Sequence, residues 1–205
     1  VSTKRLSAEE RRKQILRSAI RVFAESTYHG ATTKRISEEA GITEALIYRY
    51  FGSKRKLFTE AISMTSGRLV MGLEETLAAN RDEPHAALRE CFRFYAYYLD
   101  KHQDLAKMIF LVLSELDQDD VREAYLPHQE RALATVRSTL EYWAERGYLT
   151  GPLDAQTASW LYYGTYLILA LVKHTHGGIA LDAERAVAMA RPYFTPEVWA
   201  AGRED

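Results

Sequence analysis

From Trp160 to Val172 the sequence is an almost unbroken apolar run, interrupted only by Gly164 and Thr165. It is too short to cross a bilayer, which takes roughly 20 such residues. Read as a helix, it is apolar on every side and must be covered on every side. The run therefore calls for a bundle of other helices around it. It is expected to serve as a central core helix while offering one face to a second copy of the chain.

The rest of the chain supplies those helices. Ser7-Ala8-Glu9-Glu10 fits a capping box, with Ser7 at the cap and Glu10 reaching back. Ile15, Ala19, Val22 and Phe23 then recur at helical spacing, predicting a first helix to about Glu25. Two short helices are expected near 33–40 and 44–50, separated by Gly41, and a longer one after Ser53. Leu88, Cys91, Phe92, Tyr95, Tyr98 and Leu99 mark one face of a further helix, and Met108, Ile109, Val112 and Leu116 mark the next. A long helix over 119–146 contains Pro127 and has Gly147 as its C-terminal stop. Asp154 opens a helix ending at Gly177-Gly178, Asp182 opens another, and Thr195-Pro196-Glu197 begins a last short one. No repeat, low-complexity tract or long linker is visible. The expected fold class is all-α, with nine or ten helices.

Composition narrows the class. Of the 205 residues, 47% are hydrophobic and 27% charged, the balance of an ordered soluble protein. The net charge of −1 is unevenly spread: residues 1–58 hold 13 Lys/Arg against 6 Asp/Glu, and the remainder 14 against 22. A basic head on an acidic body suits a polyanion-binding module joined to a different kind of domain. Cys91 is the only cysteine, so no internal disulfide framework exists and a reducing, cytoplasmic setting is expected. No basic segment followed by an apolar stretch opens the chain, so secretion is not expected.

The clearest functional signal lies between Thr33 and Phe51. Ile36, Ala40, Ile42 and Ile47 are small apolar contacts suited to two short crossing helices, and Gly41 supplies the permissive backbone of the turn. Thr43 stands at the N-cap of the second helix. Its outward positions are then Glu44, Ala45, Leu46, Tyr48 and Arg49, presented as a recognition helix presents them to base edges. Apolar spacing alone leaves open a plain helical hairpin and a helix-turn-helix. The first turn after Ser53 reads Lys54-Arg55-Lys56, and cations at a helix N-terminus oppose its dipole by roughly 0.3–1 kcal/mol each. A docked phosphate would reverse that sign.

Residues 9–58 resemble the TetR/AcrR family of bacterial transcription regulators. The match runs through Ile15-Leu16, Ala19, Phe23, Ala31-Thr32-Thr33, Ile36, Ala40-Gly41-Ile42-Thr43, Tyr48, Phe51, Ser53-Lys54 and Leu57. Two departures are visible: Thr27 stands where the family often has Gly, and Ser37 where it usually has Ala. The resemblance implies a three-helix helix-turn-helix head in residues 1–53 and a larger helical ligand-binding and dimerisation bundle in 54–205. It implies homodimerisation through the helices near 154–176 and 182–192. It also implies phosphate contacts by Thr33, Lys34, Tyr48 and Lys54 on double-stranded DNA. Base reading falls to Thr43, Glu44, Ala45, Leu46 and Arg49 on a palindromic operator. The stripe Lys13, Arg17 and Arg21 is expected to be solvated surface.

Repression, relieved by a small hydrophobic or aromatic effector, is the family default. The aromatics Phe92, Tyr95, Tyr98, Phe110, Tyr162, Tyr163 and Tyr166 are many for one bundle, and most of them read as core. Of these, Phe92, Tyr95, Tyr98, Phe110, Tyr162 and Tyr166 are the candidates to line an effector pocket. Cys91 on an apolar face reads as packing. An enzyme is disfavoured: no nucleophile–base pair or phosphate-cradling loop is present, and His128, His174 and His176 lack partners at ligand spacing, so no metal, cofactor or membrane is expected. A dimeric scaffold that binds a protein and no specific DNA remains the alternative.

Overall fold

The computed structural model describes residues 6–176 and 183–201. Its described residues form ten α-helices: α1 (Ala8–Gly30), α2 (Thr33–Ala40), α3 (Glu44–Phe51), α4 (Lys54–Ala79), α5 (Pro84–Lys101), α6 (Gln103–Ser114), α7 (Asp119–Glu145), α8 (Ala155–His176), α9 (Ala183–Ala188) and α10 (Pro196–Ala201). A 3-10 turn, Arg191–Tyr193, separates the last two. The expected all-α class holds. The expected helix stop at Gly177-Gly178 and start at Asp182 lie outside the described residues. No helix among the described residues is long and apolar enough to cross a membrane.

The helices group into two compact units that cut across chain order. One takes the chain up to Ser66 with Gln103–Leu126, and the other takes Gly67–His102 with Pro127 onward.

In the first unit, Ile15, Leu16, Ala19, Val22 and Phe23 form the buried stripe of α1. Around it lie Ile36 of α2, Ile47 and Phe51 of α3, Leu57, Phe58, Ala61 and Ile62 of α4, and Met108, Leu111 and Val112 of α6. The Ser7–Glu10 capping box forms as the sequence suggests. Beyond Glu25, α1 runs five residues further than expected and breaks at Thr27, whose φ of 65° and ψ of 173° are non-helical. That region of backbone space is essentially reserved for glycine, and a β-branched residue there costs on the order of 1–3 kcal/mol. A glycine at this position would carry no such cost.

In the second unit the largest fully buried side chain is Trp143, whose Nε1 donates to the Arg81 carbonyl at 2.7 Å. The end of α7 closes around it. Gly147, at φ 71°, lets the Tyr148 N–H bond the Trp143 carbonyl at 2.9 Å and its own N–H bond that of Ala144 at 3.0 Å. Backbone bonds from Thr150 to Tyr193 (3.1 Å) and from Thr195 to Tyr148 (3.0 Å) then clip this corner to the segment before α10. Phe194 packs edge-on against Trp143 at 5.6 Å. The lone cysteine, Cys91, is buried in this core, and burial pushes its thiol up to about 11, so it is packing rather than a reactive group. The Phe94 ring of α5 lies against Gly72 of α4, where a Cβ would be 2.0 Å from Phe94 Cζ and 2.6 Å from its neighbouring ring carbons.

Two stability changes of opposite sign follow. Replacing Thr27 by Gly should raise the unfolding free energy by about 1 kcal/mol, the relief of strain exceeding the added freedom of the unfolded chain. An unchanged or lowered denaturation midpoint would contradict the strain assigned to Thr27. Gly72→Ala should destabilise by about 1–3 kcal/mol through overpacking. Trimming the ring by Phe94→Ala in that background should then cost less than it does in the parent chain, which a double-mutant cycle measures directly.

Candidate nucleic-acid interface

Helices α2 and α3 are eight residues each, too short to persist alone, and are held by what they bury. On α2 the buried residues are Thr33, Ile36, Ser37 and Ala40. Thr32 caps it by accepting from the Arg35 N–H at 3.1 Å. Ser37, in place of the usual Ala, satisfies its hydroxyl by donating to the Lys34 carbonyl at 2.7 Å. The turn is built on Gly41 at φ 63°, which allows the Ile42 N–H to reach the Ser37 carbonyl at 3.0 Å and the Gly41 N–H that of Glu38 at 3.1 Å.

On α3 only Ile47 and Phe51 are buried. With those two pointing inward, Thr43, Ala45, Tyr48 and Arg49 are exposed, and Glu44 and Leu46 are half-buried. Thr43 occupies the N-cap as expected, yet its side chain makes no capping bond. Tyr48 is 48% exposed, unusual for so large a side chain. Its hydroxyl lies 3.2 Å from that of Thr33, which in turn donates to a Glu44 carboxylate oxygen. Thr33, Glu44 and Tyr48 thus form one cluster.

The cations divide sharply. Arg12, Arg21, Arg35 and Lys13 are spent on Glu60, Glu39, Glu25 and Glu9. Arg12 also donates to the Tyr50 carbonyl at 2.8 Å and lies over the Phe51 ring, fixing the α3–α4 corner. Among the described residues Arg17 on α1, Lys34 on α2 and Lys56 on α4 form no ion pair and are exposed, and Arg49 only stacks on Tyr50 at 5.7 Å.

The cationic first turn of α4 has partners inside the chain. Lys54 Nζ donates to the carbonyls of Tyr28 and Ala31, both at 2.9 Å, and sits over the Tyr28 ring. These carbonyls end α1, where a cation is favoured. Arg55 makes a two-pronged pair with Asp120 (2.6 and 2.5 Å) and approaches Glu115 at 3.6 Å, and the Asp120 bond holds its pKa above the usual arginine range. The same contact lowers that of Asp120. A phosphate is therefore not needed to account for the turn. Ser53 caps it, accepting from the Lys56 N–H at 3.1 Å. Lys56 is the exposed cation of this turn, although it was not among the phosphate contacts that the resemblance implies. Its signal was present, since Leu57 and Phe58 fix the helix phase and leave Lys56 pointing outward.

Of the six pocket candidates, five lie in the second unit and Phe110, on α6, lies in the first. Phe92 and Tyr95 are buried, while Tyr98, Tyr162 and Tyr166 are half-buried. Tyr95, Tyr162 and Tyr166 come together. Tyr166 donates to the Tyr162 hydroxyl at 2.6 Å, and the Tyr95 and Tyr166 rings meet edge-on at 4.5 Å. Burial raises the pKa of all three phenols. Tyr98 instead pairs with His102 at 4.4 Å and Phe94 at 5.8 Å. Among the described residues no group of three or more His, Cys, Asp or Glu is arranged to hold a metal ion.

Known proteins share this head. Residues 15–61 match the family model described as bacterial regulatory proteins, tetR family. The activator FasR of Mycolicibacterium smegmatis is 33% identical over 93 residues, which is 44% of this chain and 42% of FasR. The repressor NicS of Pseudomonas putida is 30% identical over 102 residues, 50% of this chain and 48% of NicS. The chain thus spans under half the length of these two relatives. Over nearly its whole length it shares the fold of FadR from Bacillus subtilis, solved with stearoyl-CoA: TM-score 0.70, 22% identity, 87% of this chain and 96% of that one. Over residues 15–61 the chain is thus similar to the DNA-binding head of bacterial regulatory proteins of the tetR family, and over most of its length it has their fold.

Proposed function

We propose that the protein is a ligand-responsive, sequence-specific DNA-binding regulator, a cytoplasmic repressor that a small hydrophobic or aromatic effector releases from a palindromic operator. The observation that carries this reading is the face of α3. Ile47 and Phe51 turn inward, and Thr43, Ala45, Tyr48 and Arg49 are left exposed on a helix too short to be a stable surface for its own sake. Recognition is assigned to residues 1–53, and effector binding and dimerisation to 54–205. Lys34, Tyr48 and Lys54 meet phosphates, with Thr33 beside them at the start of α2. Two of the three Lys54 N–H groups are spent on carbonyls, which leaves one for a phosphate oxygen. Thr43, Glu44, Ala45, Leu46 and Arg49 face the bases.

A palindromic site requires a twofold dimer. Helix α8 supports one. Trp160, Leu161, Ile168 and Leu171 are 47%, 71%, 57% and 48% exposed, and Leu161, Ile168 and Leu171 recur along a single face of the helix. Met189 and Tyr193, beside and within the turn after α9, are exposed as well. This is the face assigned to a second copy, joined by the segment near 182–192. The tyrosine cluster of Tyr95, Tyr162 and Tyr166 offers a mainly apolar site with a few hydroxyls, and the stearoyl-CoA held by FadR supports an acyl-chain effector. FasR is an activator and NicS a repressor, so repression rests on the family default. The alternative, a dimeric scaffold without specific DNA binding, gains from the internal partners of Lys54 and Arg55.

Selection of bound duplexes from a random pool at near-physiological salt separates the two. Enrichment of one inverted repeat, with half-sites about one helical turn apart, is expected. Weak, sequence-independent binding would favour the scaffold.

A further inference from the structure

We infer that Thr33 is a positioning residue for sequence reading, acting through Glu44, and not itself a phosphate contact. The inference rests on the DNA-binding reading above.

Thr33 is only 7% exposed, whereas Tyr48 beside it is 48% exposed. Its hydroxyl is bonded to Glu44 and lies 3.2 Å from the Tyr48 hydroxyl. A threonine hydroxyl has one proton and two lone pairs, and an ionised carboxylate can only accept. The Thr33 proton therefore goes to Glu44, and the remaining contact runs from the Tyr48 O–H to Thr33. The three groups make one directed chain: Tyr48 to Thr33 to Glu44. Glu44 and Tyr48 are four residues apart on α3 and so lie on one face, one turn from each other. A single buried hydroxyl from α2 thus holds two side chains of the recognition helix.

The consequence for Glu44 is order before binding. A glutamate at an exposed helix start samples many rotamers, and fixing it on DNA would cost that freedom. Bonded to Thr33, its carboxylate is already held to the α2 side of the recognition helix. A carboxylate has about four acceptor positions, of which Thr33 takes one. The rest can accept from a cytosine N4 amino group, the base donor that suits an acidic side chain in the major groove. Tyr48 can turn its proton to a phosphate without disturbing this bond, because the Thr33 proton remains on Glu44.

The test uses the full chain and the inverted repeat recovered by selection, with each base pair of one half-site changed in turn. The wild type should prefer one C·G pair, and Glu44→Ala should abolish that preference. Thr33→Val should weaken the preference about tenfold at the same base pair. The other positions and the salt dependence should be unchanged, and Thr33→Ser should restore the preference. Thermal melts check the fold of each variant, and Thr33→Ala carries the same readout if the valine variant melts early. Uniform weakening across all duplexes, with base discrimination kept, would make Thr33 a phosphate contact and overturn the inference; a neutral hydroxyl leaves the salt slope unchanged in either case. So would unaltered discrimination in Thr33→Val on an operator that the wild type binds specifically. A wild type that enriches no repeat removes the DNA-binding reading and this inference with it.

Discussion

Burial of Ile47 and Phe51 against the α1 stripe is the contact on which the head depends. An eight-residue helix has little stability of its own, and its orientation is set by whichever side chains it can bury. Two apolar anchors four residues apart define one face, so the opposite face, with Thr43, Ala45, Tyr48 and Arg49, has to face outward. Helices α2 and α4 make the same kind of bargain around α1, contributing Ile36 on one side and Leu57, Phe58 and Ile62 on the other. The outward face is a by-product of that core, and its chemistry is what the function draws on.

Charge is arranged to protect this outcome. Most arginines of the head are tied to carboxylates of neighbouring helices, and Arg12 and Arg55 also act as structural braces at the two ends of the α3–α4 corner. Lys34, Arg49 and Lys56 have no ion pair among the described residues, and all three lie on α2, α3 or the first turn of α4. Surface ion pairs contribute little stability in water. On α2, α3 and the first turn of α4 they leave Lys34, Arg49 and Lys56 uncompensated, while Arg17 on α1 is a further exposed cation with no ion pair among the described residues.

Much of this was legible in the sequence. Local signals were read correctly because their physics is local: the Ser7–Glu10 box, Gly41 in the turn, Asp154 capping α8 and Gly147 closing α7 each act within four or five residues. What escaped was long-range or conformational. Nothing in the spacing around Arg55 points to Asp120, 65 residues away, so the cationic turn looked as if it needed an external anion. Thr27 was seen as a departure from the family pattern, but periodicity carries no information on φ, and its strain was invisible. Phe110 was grouped with the other candidate aromatics by residue type, yet α6 packs with α1 and belongs to the first unit, while the tyrosine cluster belongs to the second. The mutual bonding of Thr33, Glu44 and Tyr48 needs two helices brought together by the core, so their separate roles could be listed but not their connection.

The most direct measurement is the salt dependence of affinity for one specific duplex, compared among the wild type, Lys34→Ala, Arg49→Ala and Arg17→Ala. Arg17 is exposed on α1, away from the buried stripe, and serves as the reference cation. If the α2–α3 face is the polyanion surface, the wild-type slope is steep. Removing Lys34 then lowers the slope by about 0.9, Arg49→Ala lowers either the slope or base discrimination, and Arg17→Ala leaves both unchanged. Equal losses from all three substitutions would show a diffuse basic head with no dedicated face, and would contradict the account.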